Sequence, residues 1–169
     1  MPEPIAQRPD MAAYGVDTPD WEALPWSWAR ERLDGRNYWL ATASADGRPH
    51  SLPVWGVWSE EDHRFCFSCA PTARKARNLA ANPQVVVAID DTVECISIEG
   101  VASRLDPDGD ADRIDTWIER YLTKYRPMAP DLGAPFLRRN LVFEVTPERA
   151  LAVIEREDEF AARATRWVW

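Results

Sequence analysis

The feature that most constrains the fold is an Asp-Gly pair, Asp46-Gly47, set between two runs suited to β-strands. Tyr38-Trp39-Leu40-Ala41-Thr42-Ala43 precedes it and His50 to Trp58 follows. The segment predicts a β-hairpin in which glycine supplies the positive φ that twisted strands favour at their turn. A polar turn, Ser59-Glu60-Glu61-Asp62-His63, leads into the alternating aromatic run Arg64 to Ser68, which predicts a third antiparallel strand. His63 reads as a turn residue.

Further strands and helices follow from periodicity. In the segment TARKARNLAANP, Ala73, Ala76, Leu79 and Ala80 share one helical face and Asn82-Pro83 stops the helix. Gln84 to Ile89 is a Val-rich run, Asp90-Asp91 a turn, and Val93 to Ala102 a further strand. Ile114, Trp117, Ile118, Tyr121, Leu122 and Tyr125 recur at i, i+3, i+4, i+7, i+8 and i+11, an unbroken apolar stripe along a helix. Arg126 to Leu137 reads as a Pro-containing loop, and Leu141 to Val145 and Ala150 to Ile154 as two closing strands. Near the start, Trp21, Leu24, Trp28 and Leu33 predict a short helix broken at Pro25, with Ser27 and Glu31 forming a cap. Residues 1–20, with four prolines and no sustained period, read as an extended arm and 21–169 as one domain. Six or seven antiparallel strands with two helices between them predict a mainly β fold, a small barrel with flanking helices whose closure removes exposed edges.

Bulk properties narrow the function. At 169 residues, 46% hydrophobic and 28% charged, the chain falls in the globular class and outside the disordered one. A net charge of -8 opposes a broad grip on nucleic acid, and no apolar run approaches bilayer-spanning length, so the expectation is a cytoplasmic protein with no nucleic-acid or membrane partner. Three cysteines without an export signal predict free thiols.

Several motifs are weighed and set aside. Cys66-Phe67-Ser68-Cys69 has redox or zinc spacing but lacks a second ligand pair. Asp106, Asp108 and Asp110 imitate a calcium loop but have Ala111 and Trp117 where glycine and glutamate belong, so they read as a turn and a cap. His50 and His63 are the only histidines and fall in different elements, so no metal site is assigned. One segment does suggest chemistry. Thr72-Ala73-Arg74-Lys75-Ala76-Arg77-Asn78 gathers three cations at a helix start, where the backbone dipole is already positive. A bound anion relieves that conflict through helix amides, the Thr72 hydroxyl, Arg74 and Lys75; a solvated basic patch is the alternative.

The order YWLATASADGRPHSLPVWGVW, FCFS, TARKARNLAANPQVVV resembles the FMN-binding split barrels of the pyridoxamine-phosphate-oxidase-like superfamily, most of all actinobacterial flavin and deazaflavin (F420) oxidoreductases. The resemblance spans about Trp26 to Ala102 and the ending ATRWVW. It implies a homodimeric split β-barrel that clasps each cofactor between subunits. It implies ring contacts along the second hairpin strand from His50, Ser51, Leu52, Pro53, Val54 and Trp55. Ser68, Thr72, Arg74, Lys75 and Asn78 become ligands of the anionic tail, and Trp167 closes the site from the other subunit. The pattern departs at Ala73, where the family commonly places serine. The implied activity is hydride transfer from reduced coenzyme F420 to a small conjugated or quinone-like acceptor. FMN use on the same fold is the alternative, as is a non-catalytic protein that binds flavin, F420 or haem. No catalytic residue is named, because the cofactor carries the chemistry.

Overall fold

The Asp46-Gly47 turn forms as the sequence requires. In the computed structural model, which describes residues 3–15 and 20–169, Gly47 has φ 81° and its amide donates to the Ser44 carbonyl at 2.8 Å. The turn joins β2 (Tyr38–Ala43) to β3 (Pro49–Val54), with Ala43 opposite Pro49 and Tyr38 opposite Val54. Here the structure departs from the reading of one strand through Trp58. The chain leaves β2 at Trp55 and begins β4 (Gly56–Ser59), which pairs with β5 (Arg64–Cys69). Gly56 makes the hand-over possible, since a Cβ there would lie 2.3 Å from the Phe65 ring and 2.9 Å from the Cys66 carbonyl oxygen.

Helix α2 (Arg74–Ala81) follows β5, and β6 (Gln84–Ile89) returns to pair with β2. β7 (Glu94–Arg104) pairs with β6 on one side and with β8 (Leu141–Ile154) on the other. The two closing strands read separately are one strand, because a bulge opposite Glu99 and Gly100 passes over Glu148 and leaves Pro147 in register with Gly100. β8 then serves two branches. Its first half, Leu141–Val145, pairs with β5, and Arg149–Ala152 pairs with β9 (Thr165–Val168). Segment Ile5–Gln7, expected as a free arm, forms β1 and pairs with β9; residues 1–2 and 16–19 of that arm lie outside the described residues. The result is a mainly antiparallel split barrel of nine described strands.

Pro25 is the N-cap of α1 (Trp26–Gly35), so proline starts the helix instead of breaking it, and Ser27 makes no cap. The stripe from Ile114 to Tyr125 forms α3 (Ala111–Tyr125), with Ile114, Trp117, Ile118, Tyr121 and Tyr125 buried against Val57, Cys66 and Val142. Such burial contributes about 1.5–3 kcal/mol for each large aliphatic side chain. Glu144, buried on β8, fastens α3 to the sheet: Arg113 donates two 2.6 Å bonds to it and the Trp117 indole one of 3.0 Å. The carboxylate leaves water only because these donors replace it. The stretch expected as a loop contains α4 (Ala134–Arg138). Asp106 makes the expected turn by accepting the Asp108 and Gly109 amides, whereas Asp110, the N-cap of α3, makes no side-chain cap. Cys66 faces the α3 cluster and Cys69 the barrel core, both as free thiols. No helix among the described residues is long and apolar enough to cross a membrane.

His63 is no ordinary turn residue. It has φ 50°, is 3% exposed, lies parallel to Trp26, and its Nδ1 accepts the Trp169 indole N–H at 3.0 Å. Burial lowers its pKa, outweighing the raising influence of Glu60 and Glu3, and the Arg64 charge lowers it further. The neutral imidazole is therefore the native form. Because the folded pKa lies below the unfolded value near 6.5, this contribution is complete above about pH 6.5 and is lost as pH falls towards the folded pKa. Urea denaturation at pH 7.5 and 5.5 is expected to show a larger loss for the wild type than for His63→Asn; equal losses contradict the assignment.

Candidate functional site

β3 is an edge strand: among the described residues it pairs only with β2. The sequence contained the reason, since Pro49 and Pro53 lack the N–H that an interior strand must donate. Ser51, Leu52 and Pro53 are exposed, as is Trp55 just beyond the strand. Trp55 is supported from behind, its ring stacked on Tyr125 at 4.6 Å and 4°. The Tyr125 hydroxyl accepts the Gly56 N–H and donates to the Gly56 carbonyl, each at 2.8 Å. Tyr121 adds a 3.3 Å bond to the Trp55 carbonyl. These two tyrosines fix the point where the chain changes sheets, and they were legible only as part of the apolar stripe.

α2 stands at the β2 end of this edge. Its N-cap is Ala73, not Thr72, and it makes no side-chain cap; no acidic residue lies in the first turn. The first amides of the helix thus lack the usual oxygen partner while Arg74 and Lys75 stand beside them. Thr72 is exposed in the preceding turn, where its carbonyl accepts a 2.6 Å bond from Arg77. His50 reaches the same place. Its pKa is depressed first by desolvation and then by the charges of Arg74 and Lys75, and its Nδ1 is buried with no hydrogen-bond partner among the described residues. Two cations and uncapped amides therefore share one helix start, with an imidazole within reach of both charges, an arrangement fitted to an anionic group.

Four expected ligands are placed differently. Val54 is buried at 7% exposure and joins the barrel core. Ser68 faces α3, beside Trp117 and Tyr121. Asn78, 5% exposed, tethers α2 to the sheet by donating to Thr42 Oγ1 at 2.9 Å. Thr42, missed in the sequence, faces His50 across the hairpin and is 4% exposed; its inward position in β2 was the available signal. Trp167 is 0% exposed, its ring edge-on to Trp26 at 5.4 Å inside its own subunit's core, and so presents no surface to a second subunit.

Residues 29–154 match the family model described as pyridoxamine 5'-phosphate oxidase. No curated protein matches. Among solved structures, HutZ, the haem storage protein from Vibrio cholerae, is 24% identical with a TM-score of 0.58, over 75% of this chain and 92% of that one. An FAD-binding protein from Mesorhizobium loti is 20% identical with a TM-score of 0.60, over 86% and 96%. An F420 reductase is 21% identical with a TM-score of 0.56, over 75% and 98%. At these identities the likeness is one of fold.

Proposed function

We propose, from the premise that this chain belongs to the pyridoxamine 5'-phosphate oxidase family, that it is an oxidoreductase using reduced coenzyme F420 to deliver hydride to a small conjugated or quinone-like acceptor. The observation that carries the reading is the uncapped start of α2, where Arg74 and Lys75 lie near enough to His50 for their charges to lower its pKa. The deazaflavin supplies the redox chemistry when bound. Arg74, Lys75 and the first amides of α2 hold its anionic tail by charge-assisted hydrogen bonds. The exposed edge from Ser51 to Trp55 lines the ring, and Tyr125 keeps the Trp55 plane fixed behind it. The protein's contribution is alignment and exclusion of water.

The homodimer belongs to the same proposal. Trp39 and Leu52 are each 46% exposed and Trp55 38%, so β2, β3 and the β3–β4 junction present aromatic and aliphatic surface that a second copy would cover. A cytoplasmic location accompanies this reading.

Titrating the purified protein with F420 and with FMN, while following tryptophan fluorescence, tests it. F420 is expected to bind at least about tenfold more tightly, a difference near 1.4 kcal/mol. Preference for FMN replaces F420 in the proposal, and binding of neither overturns it. Tight F420 binding without turnover of quinones or enones assigns a carrier instead of an enzyme. A Soret band on adding haem, with no affinity for either flavin, assigns haem binding.

A further inference from the structure

The chain meets nearly all its need for positive charge with arginine: of its 20 basic residues only Lys75 and Lys124 are lysines. Lys75 lies at the anion site. Lys124 lies elsewhere, in a groove of about 870 Å³ between α1, β4 and α3. Its Nζ donates to the Arg36 carbonyl at 2.8 Å and to the Tyr38 hydroxyl at 2.9 Å, and stands 4.5 Å from the centre of the Tyr38 ring. Both acceptors are neutral, and among the described residues no ion pair holds the ammonium. The Tyr38 hydroxyl spends its own proton on the Leu33 carbonyl, so it accepts from the lysine. A neutral amine has the two hydrogens these acceptors require and keeps a lone pair. Arginine could not take this role, because it stays protonated.

We propose that Lys124 is a nucleophilic amine that forms an imine with small neutral aldehydes entering this groove. The choice of aldehyde follows from the lining. Five carboxylates (Glu31, Asp34, Glu60, Glu61 and Glu119) face three cations (Arg30, Arg120 and Lys124), which disfavours anionic keto acids, while Val57 and Trp58 supply apolar wall. Nζ bonds to the carbonyl carbon, and the carbonyl oxygen leaves as water with the two hydrogens that were on nitrogen. No oxidant or second reactant is needed. Desolvation supports the assignment by lowering the Lys124 pKa to about 8, against the raising influence of Asp34 and Asp90. At pH 7.5 about a quarter of such an amine is neutral, against about 0.1% for an ordinary lysine. The groups packed around Nζ are Tyr38 on β2, Tyr125 on α3, Asp34 on α1 and Asp90 after β6. The groove is distinct from the basic start of α2, and although Tyr125 borders both Lys124 and Trp55, aldehyde labelling and cofactor titration report on the two sites separately.

Lys75 provides an internal reference. The intact protein is incubated with benzaldehyde and sodium cyanoborohydride at several pH values, and adducts at Lys124, Lys75 and the N-terminal amine are quantified by peptide mass spectrometry. Lys124 is expected to react at least about tenfold faster than Lys75 at pH 7.5, with a rate that levels off above about pH 8. Glyoxylate is expected to lose that preference. Lys124→Arg, which keeps the charge, is expected to remove the adduct while leaving F420 or FMN binding unchanged. Equal or faster reaction at Lys75, or a Lys124 rate still rising through pH 10, overturns the proposal. So does the absence of a Lys124 adduct when the N-terminal amine is labelled.

Discussion

Gly100→Ala is expected to destabilise the protein by about 3 kcal/mol, the upper end of the usual cost of overpacking. A Cβ at this position would lie 2.2 Å from the Thr146 carbonyl oxygen and 3.0 Å from the Pro147 Cα. Both are backbone atoms of β8, so no side-chain rotation can relieve the clash. The adjustment would have to come from the β7–β8 ladder, beside the bulge that lets Pro147 stay in the strand. The midpoint of urea unfolding at constant m-value measures the loss. A change below about 0.5 kcal/mol, the range of an inconsequential surface substitution, would show that the ladder yields freely.

Arg74→Ala combined with Lys75→Ala is expected to weaken binding of the anionic cofactor by at least about 100-fold. Each charge-assisted hydrogen bond contributes roughly 1.5–3 kcal/mol, and tenfold in affinity corresponds to about 1.4 kcal/mol. Folding should hardly change. Arg74 is exposed, Lys75 is half-buried, and neither belongs to the buried core clusters. Fluorescence titration and thermal unfolding of the same preparation separate the two effects. Equal loss of affinity and stability would mean that the pair supports α2 instead of holding a ligand.

Where local chemistry decides the structure, the sequence was readable. Asp46-Gly47 fixes its turn because few residues tolerate a φ of 81°, and the Ile114 to Tyr125 stripe forms its helix because one face alone can be buried. What stayed hidden depended on partners distant in sequence. Strand alternation continues on both sides of Trp55, and nothing local to that run indicates that β3 pairs with β2 while β4 pairs with β5. The division of β8 between β5 and β9 is of the same kind. Arg74 and Lys75 stood out because cations at a helix start are a local anomaly, whereas His50 entered only through the family resemblance. Asn78 and Ser68 entered as ligands only through the resemblance; in the fold Asn78 donates to Thr42 and Ser68 lies against α3 beside Tyr121. Trp167 was read as a closing residue because an aromatic near the end of the chain shows nothing of the core that β8 and β1 build around it.

β8 gives the molecule a spine common to both branches, and this bears on how the fold comes apart. The strand cannot be released from β5 at one end without loosening the stretch that holds β9, because β7 runs beside both. Opening of β8 is therefore expected to loosen both branches together, which hydrogen exchange would register as matching protection of the β5 and β9 amides.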